Sequence, residues 1–410
     1  MKPMGPVPPF FSGEEGMLLI GGCGAGSLVG EAGDTPLFVY DMGIMEGQVR
    51  AFRDAMPAML SLHYAVKANP YLPLLERMAK LVDGFDVASG GELARALEAG
   101  MDAAHISFAG PGKRDDELIA AIDSGATINL ESEGEAQRAI ALAGQRGKTP
   151  KLAVRVNPDF DLKGSGMRMG GGAKPFGVDA ERAAALARWV IDAGGEWRGW
   201  HIFTGSQALG AQALIETQAA TIDLATRLSD SVGVAPPLVN LGGGFGIPYF
   251  PGDERLDIRP IGDALARLLD GRADILKDSA FAMELGRWLV GEAGVYLTRI
   301  VDVKKSQGET FVVVDGGLHH QLAASGNFGT VVRRNYPIAV ANRFGEAPAE
   351  EAVTVVGCLC TPIDRLGDKV ALPPVEEGDL IAIFLAGAYG ASASPAAFLG
   401  HPAPLELLVG

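Results

Sequence analysis

Between residues 62 and 286, eight short runs rich in Val, Ile and Phe alternate with longer segments of Ala, Leu, Glu and Arg. The runs are "LHYAVKA", "FDVAS", "HISFAG", "TINLES", "LAVRVN", "GWHIFTG", "LVNLGGG" and "FAMELG". Segments such as "PLLERMAKLV", "GGELARALEAG", "DDELIAAIDSG" and "EGEAQRAIALAG" place apolar residues three and four apart, and several end in Gly, as amphipathic helices do. Such alternation builds βα units around a parallel sheet, and eight units predict a (β/α)8 barrel of the TIM type. After about residue 290 the texture changes. "VGEAGVYLTRIVDVKK", "ETFVVVDGG", "EAVTVVGCLC" and "DLIAIFLAG" read as strands joined by turns, with little helical period. "MLLIGG" and "PLFVYD" near the start add strands to them. The expected organisation is a barrel over 42–289 and a β-rich, antiparallel domain, sandwich-like or barrel-like, assembled from 1–41 and 290–410.

The 410 residues carry a formal charge of −15, which gives no general pull toward a phosphate backbone and argues against nucleic-acid binding. Cys23, Cys358 and Cys360 cannot make a disulfide framework, and a reduced, cytoplasmic protein is expected. The start of the chain lacks the apolar run of a signal peptide, and no stretch has the length and apolarity of a membrane span. His319 and His320 are adjacent, so on a strand they point apart; with no Cys or third His at ligand spacing, no metal is expected. "GPGKRDDE" at 110–117 lacks P-loop spacing and reads as a loop entering a helix.

In a (β/α)8 barrel the functional face lies at the C-terminal ends of the strands. There the sequence puts Lys67, Asp86, Arg155, the "TGSQ" of strand six with Ser206, the triplet Gly242, Gly243 and Gly244, and then Glu284, Gly286 and Arg287. Glycines after strand seven let backbone N–H groups approach a phosphate, and Ser206 and Arg287 add a hydroxyl donor and a charged fork. An amine such as that of Lys67 forms a Schiff base with a carbonyl, which removes the cost of leaving an ammonium inside the protein. A carboxylate facing a pyridine nitrogen keeps it protonated and makes the ring an electron sink, a role that suits Glu284. The cofactor these requirements describe is pyridoxal 5'-phosphate.

The motifs "YAVKAN", "FDVASGGEL", "LAVRVNP", "GSQ", "NLGGGFG", "ELGR", "VDGG", "GCLCTPID" and "GAYG" resemble the fold-type III pyridoxal-phosphate decarboxylases, which include diaminopimelate, ornithine and arginine decarboxylases. The resemblance runs from residue 36 to about 400. It implies a homodimer with active sites shared between subunits. It also implies Lys67 on the cofactor aldehyde, Gly242–Gly244, Ser206, Arg287 and Tyr389 around the phosphate, and Glu284 at the ring nitrogen. Cys360, from the partner subunit, would return a proton after carbon dioxide leaves; a thiol with a pKa near 8.5 can hold and release one at neutral pH. Arg287, Thr361 and Asp364 are the expected substrate contacts.

Departures from the family pattern concern the substrate. Phe203 stands where a histidine commonly lies over the cofactor ring, Thr361 where an acid commonly grips a distal amino group, and Leu285 and Trp288 flank "GR" in an unusual way. "GCLCTPIDRLG" and "SASPAAFLGHPAPLELL" resemble the branch of exosortase-associated decarboxylases and those acting on acyl-carrier-protein-bound aminoacyl groups. The expectation is therefore an amino acid decarboxylase acting on a small amino acid or on a carrier-bound aminoacyl group, with Arg333 and Arg334 of "VVRRNYP" as a basic landing for an acidic carrier. Diaminopimelate decarboxylation on the free amino acid is the alternative. Racemisation is disfavoured by Glu284, since that reaction usually pairs the ring nitrogen with an arginine, and a non-catalytic regulatory homologue is disfavoured by the retained Lys67 and Cys360.

Overall fold

The computed structural model describes residues 1–164, 166–168, 170–327 and 333–410. They form two compact units: Val49–Ile247 with Arg255–Gly286, and Met1–Gln48 with Pro248–Glu254 and Arg287–Gly410.

In the first unit, eight parallel strands follow one another around a closed barrel: Leu60–Ala65, Gly84–Val87, Ile106–Phe108, Thr127–Leu130, Lys151–Asn157, Glu196–Ile202, Leu238–Asn240 and Ala280–Leu285. The eighth pairs with the first from Phe281 opposite Leu60 to Leu285 opposite Tyr64, so no strand edge is left open. Most strand residues are buried, as expected of strands covered by helices outside and by side chains inside. Local side-chain and glycine caps bound the helices. Ser89 Oγ accepts from Glu92 N to cap Gly90–Glu98, Ser132 Oγ accepts from Glu135 N to cap Glu133–Gln145, and Gly125 ends Asp115–Ser124 in the left-handed region at φ +85°.

The first strand ends sooner than its sequence suggested. Val66–Ala68 form a single 3-10 turn, in which Asn69 N donates to Val66 O, and Asn69 Oδ1 accepts from Tyr71 N. The Asn-Pro turn thus stops the strand at Ala65, and Lys67 stands exposed on the turn instead of buried within the sheet.

The second unit is built from Leu37–Asp41, Gly294–Ser306, Glu309–Val314, Ile338–Val340, Val353–Val356, Arg365–Val370, Leu380–Phe384 and Leu405–Val409. The long strand Gly294–Ser306 organises it, pairing antiparallel with Leu37–Asp41, Glu309–Val314 and Leu380–Phe384. The expectation of a purely antiparallel domain needs correcting: Glu309–Val314 runs parallel to Val353–Val356, and Leu405–Val409 runs parallel to Leu37–Asp41. The last of these strands has no clean alternation and was not anticipated. Among the described residues no helix is long and apolar enough to cross a membrane.

Candidate active site

Strand register assembles a polar belt inside the barrel. Arg155 lies opposite His201, His201 opposite Asn240, and Glu284 opposite His63, all on adjacent strands and all buried. His201 Nε2 lies 3.1 Å from Glu284 Oε2, and Asn240 Nδ2 donates to the same oxygen at 3.4 Å. Burial pushes the Glu284 carboxyl upward, but His201, Lys67 and Arg155 outweigh it and hold the group well below the usual carboxylate range. Glu284 is therefore a fixed buried anion. His63 Nδ1 approaches Asp86 Oδ2 at 3.4 Å; burial lowers the basicity of that imidazole, yet Asp86, Glu284 and Asp83 raise it overall.

Arg155 does not stand free on the belt. Its Nη1 donates to Glu131 Oε1 at 2.7 Å, and Glu131 also accepts from Gly110 N and Gly177 N. Beside this pair Lys113 Nζ donates to Glu135 Oε1 at 2.8 Å and to the carbonyls of Gly110 and Asn129. Loop entry was the sequence reading of "GPGK"; in the structure its lysine is 4% exposed and anchors that loop into the barrel.

On the exposed turn, Lys67 Nζ lies 5.4 Å from the centroid of the Phe203 ring. A Cβ on Gly286 would come within 2.8 Å of Ala68 Cβ, so the absence of a side chain at 286 lets the eighth strand end against the lysine turn. The glycine triplet is required three times over. Gly242 and Gly244 have φ of +69° and +95°, while a Cβ on Gly243 would stand 1.9 Å from the carbonyl oxygen of Glu284. The Gly205 carbonyl oxygen would stand 3.0 Å from a Cβ on Gly244, which brings the neighbouring Ser206 to the triplet; its buried Oγ has no partner among the described residues.

The second unit holds the remaining expected residues. Arg287 Nη1 donates to Tyr249 Oη at 3.1 Å, and its guanidinium lies 5.5 Å from the Tyr249 ring and 4.9 Å from that of Tyr389. Trp288 is buried, with its carbonyl accepting from Gln48 Nε2. Cys360 is exposed and Thr361 half-buried on the turn after Val353–Val356. Asp364 closes this turn from within: Oδ1 accepts from Leu318 N at 2.7 Å and Oδ2 from Leu359 N at 2.9 Å. Its carboxylate is 3% exposed and taken up by backbone amides. Arg334 stacks 3.8 Å from the Phe250 ring centroid, and Arg333 donates to Ile363 O; Val331 and Val332 of that motif lie outside the described residues.

His319 and His320 correct a sequence expectation. They sit on a turn, not a strand, with ring centroids 3.7 Å apart, and Cys358 and His401 join His319.

Residues 42–291 match the model of the pyridoxal-dependent decarboxylase family, pyridoxal binding domain. The chain belongs to the pyridoxal-dependent decarboxylases. It is 38% identical over 384 residues to an L-glutamyl-[BtrI acyl-carrier protein] decarboxylase of Niallia circulans, covering 92% of this chain and 89% of that protein. It is 34% identical over 405 residues to a diaminopimelate decarboxylase of Methanothermobacter thermautotrophicus, covering 97% and 91%. Among solved structures, diaminopimelate decarboxylase of Helicobacter pylori complexed with L-lysine superposes with a TM-score of 0.82 at 29% identity, covering 94% of each chain. This decarboxylase is a carboxy-lyase that uses pyridoxal 5'-phosphate. The residues present fit that cofactor: an exposed amine, a buried carboxylate held as an anion, a glycine cradle and a serine hydroxyl without a partner among the described residues.

Sequence reading passed over His201, Asn240, Glu131 and Tyr249. His201 had a usable signal, since strand period places it on the same face as Phe203; the register that sets it opposite Arg155 came only with the fold. Tyr249 lies in an irregular segment and had none.

Proposed function

We propose that this decarboxylase acts on an aminoacyl group, of the glutamyl type, carried as a thioester on an acyl carrier protein. The observation that carries the proposal is the turn at 358–364. Thr361 follows Cys360 where an acid would grip a distal ammonium, and the turn's own carboxylate, Asp364, is committed to Leu318 N and Leu359 N. A distal thioester tether needs no such acid. The name of the Niallia circulans relative supports the same substrate class.

When bound, pyridoxal phosphate supplies an electron sink for the charge left as carbon dioxide departs. In this reading Lys67 holds the cofactor aldehyde, and Gly242, Gly243, Gly244 and Ser206 receive the phosphate together with Arg287 and Tyr389. Glu284 keeps the ring nitrogen protonated, and His201 and Asn240 position Glu284. Phe203 packs on the ring, while Asp86, Arg155 and Gly286 shape its surroundings. Cys360 delivers the proton that replaces the carboxylate, Thr361 and Arg287 contact the substrate, and Asp364 positions the turn that carries Cys360. The exposed Cys360 suits delivery across a homodimer interface, and three free cysteines suit a cytoplasmic setting.

The test is carbon dioxide release from a carrier protein bearing a glutamyl thioester, beside free glutamate, diaminopimelate, ornithine and lysine. Turnover of the carrier-bound substrate at least a hundredfold above any free amino acid is expected. Equal or better turnover of diaminopimelate would establish the other reading, which the Methanothermobacter relative favours. Mixing Lys67→Ala with Cys360→Ala protein tests the shared site: partial recovery of activity is expected, and none would refute it.

A further inference from the structure

We propose that His319, Cys358 and His401 form a binding site for a zinc-class divalent metal ion. The three residues come from separate segments: the turn after Glu309–Val314, the turn after Val353–Val356, and the tail before Leu405–Val409. One ligand atom from each lies within 4.8 Å of the others. Cys358 Sγ is 3.8 Å from His401 Nδ1 and 3.9 Å from Nε2, and the His319 and His401 ring centroids are 5.2 Å apart. Ligand atoms on tetrahedral zinc stand about 3.5 Å from one another, so small side-chain rotations complete the geometry.

His319 is the observation that points to a ligand. It is fully buried, yet neither ring nitrogen has a hydrogen-bond partner among the described residues. Its neighbour shows what a structural histidine looks like in the same place. His320 Nδ1 lies 3.1 Å from Tyr296 Oη, and its Nε2 lies 2.9 Å from the carbonyl of Pro402. Buried polar atoms are normally satisfied, and an orphaned imidazole beside a thiol and a second imidazole has one nitrogen to offer a metal.

Two imidazoles and a thiolate form a nitrogen and sulfur donor set that zinc accepts with three protein ligands and one open position. Cys358 and His401 are half-exposed, leaving that position to water. On binding, the Cys358 thiol proton goes to solvent as the sulfur–metal bond forms, and no oxidation state changes. His320 acts as support, because its bond to Pro402 O holds the tail that brings His401 into place. The ion would tie three segments together two residues from Cys360.

The test uses the holoenzyme, treated with a chelator, dialysed and titrated with Co2+ as a spectroscopic stand-in, followed by Zn2+ displacement and elemental analysis. One ion per chain is expected, with tetrahedral visible bands that Zn2+ abolishes. Cys358→Ser and His401→Gln, both at partly exposed positions, should each weaken binding at least tenfold, and Cys23→Ser should leave it unchanged. His319→Gln should abolish binding, with circular dichroism reporting whether it folds. Failure to bind Co2+ stoichiometrically, or an unchanged spectrum and affinity in Cys358→Ser and His401→Gln, would overturn the proposal whatever the substrate proves to be.

Discussion

Gly243→Ala separates a glycine needed for backbone freedom from one needed for close approach. Its Cβ would stand 1.9 Å from the Glu284 carbonyl oxygen, whereas real Cβ atoms do not come within 3.0 Å, so the seventh and eighth strand ends must part by about 1 Å. The atom met is backbone, with no flexible side chain to swing aside. Overpacking of this kind costs about 1–3 kcal/mol, and a 1 Å displacement of binding groups can cost about a hundredfold in function. Gly233→Ala is the control: its φ is +72°, it caps Ala211–Val232, and its Cβ would meet nothing within 4 Å. That variant carries only the left-handed backbone cost of about 1–2 kcal/mol, worth about 2–8 °C in melting temperature for a unit of this size. Both proteins are assayed by thermal melting and by titrating apoenzyme with pyridoxal phosphate, reading cofactor absorbance. Gly233→Ala should melt lower with unchanged cofactor affinity, while Gly243→Ala should also bind cofactor at least tenfold more weakly. If Gly243→Ala binds cofactor like the parent, the triplet does not form the phosphate cradle.

Other outcomes follow from the same geometry. Lys67→Ala should lose the visible absorption of lysine-bound cofactor and turnover together; persistence of that band would remove Lys67 from its assigned role. Cys360→Ala should keep cofactor affinity but lower kcat about a hundredfold or more, as loss of a general acid does, and normal turnover would contradict proton delivery by the thiol. Glu131→Gln strips the charge partner from buried Arg155 and should destabilise the barrel by about 3–5 kcal/mol in denaturant melts. Burial raises the Glu131 carboxyl, but Arg155 and Lys113 bring it below its ordinary value. Its stabilising contribution is thus present above the unfolded pKa and fades as pH falls through the folded one, and Glu131→Gln should flatten stability against pH below about 4.5. Tyr249→Phe removes one hydrogen bond to Arg287 and should weaken cofactor binding by about 1 kcal/mol, far less than Arg287→Ala.

What the sequence made legible was periodic. The eight barrel strands alternate with helical segments, and the terminal glycine of "DDELIAAIDSG", Gly125, ends its helix as read, whereas the caps Ser89 and Ser132 emerged only with the fold. Lys67, Glu284 and the glycine triplet could be read because strand ends define the functional face. The polar belt was harder, because His201 meets Glu284 across a register that depends on closure of the whole sheet. Lys113 and Glu131 looked like ordinary loop and strand-end charges; only the fold reveals that they are buried partners. The grouping of His319 with Cys358 and His401 spans more than eighty residues and depends on a turn where the local pattern suggested a strand.

The parallel pairing of Leu37–Asp41 with Leu405–Val409 also sets a timetable for synthesis. The ribosome makes the entire barrel sequence between the two strands. One edge of Leu37–Asp41, whose residues are all buried in the finished protein, therefore waits for its partner until the barrel has been synthesised. Nascent chains of this decarboxylase carry an unpaired apolar strand edge for longer than any barrel segment does, and only synthesis of Leu405–Val409 ends that exposure.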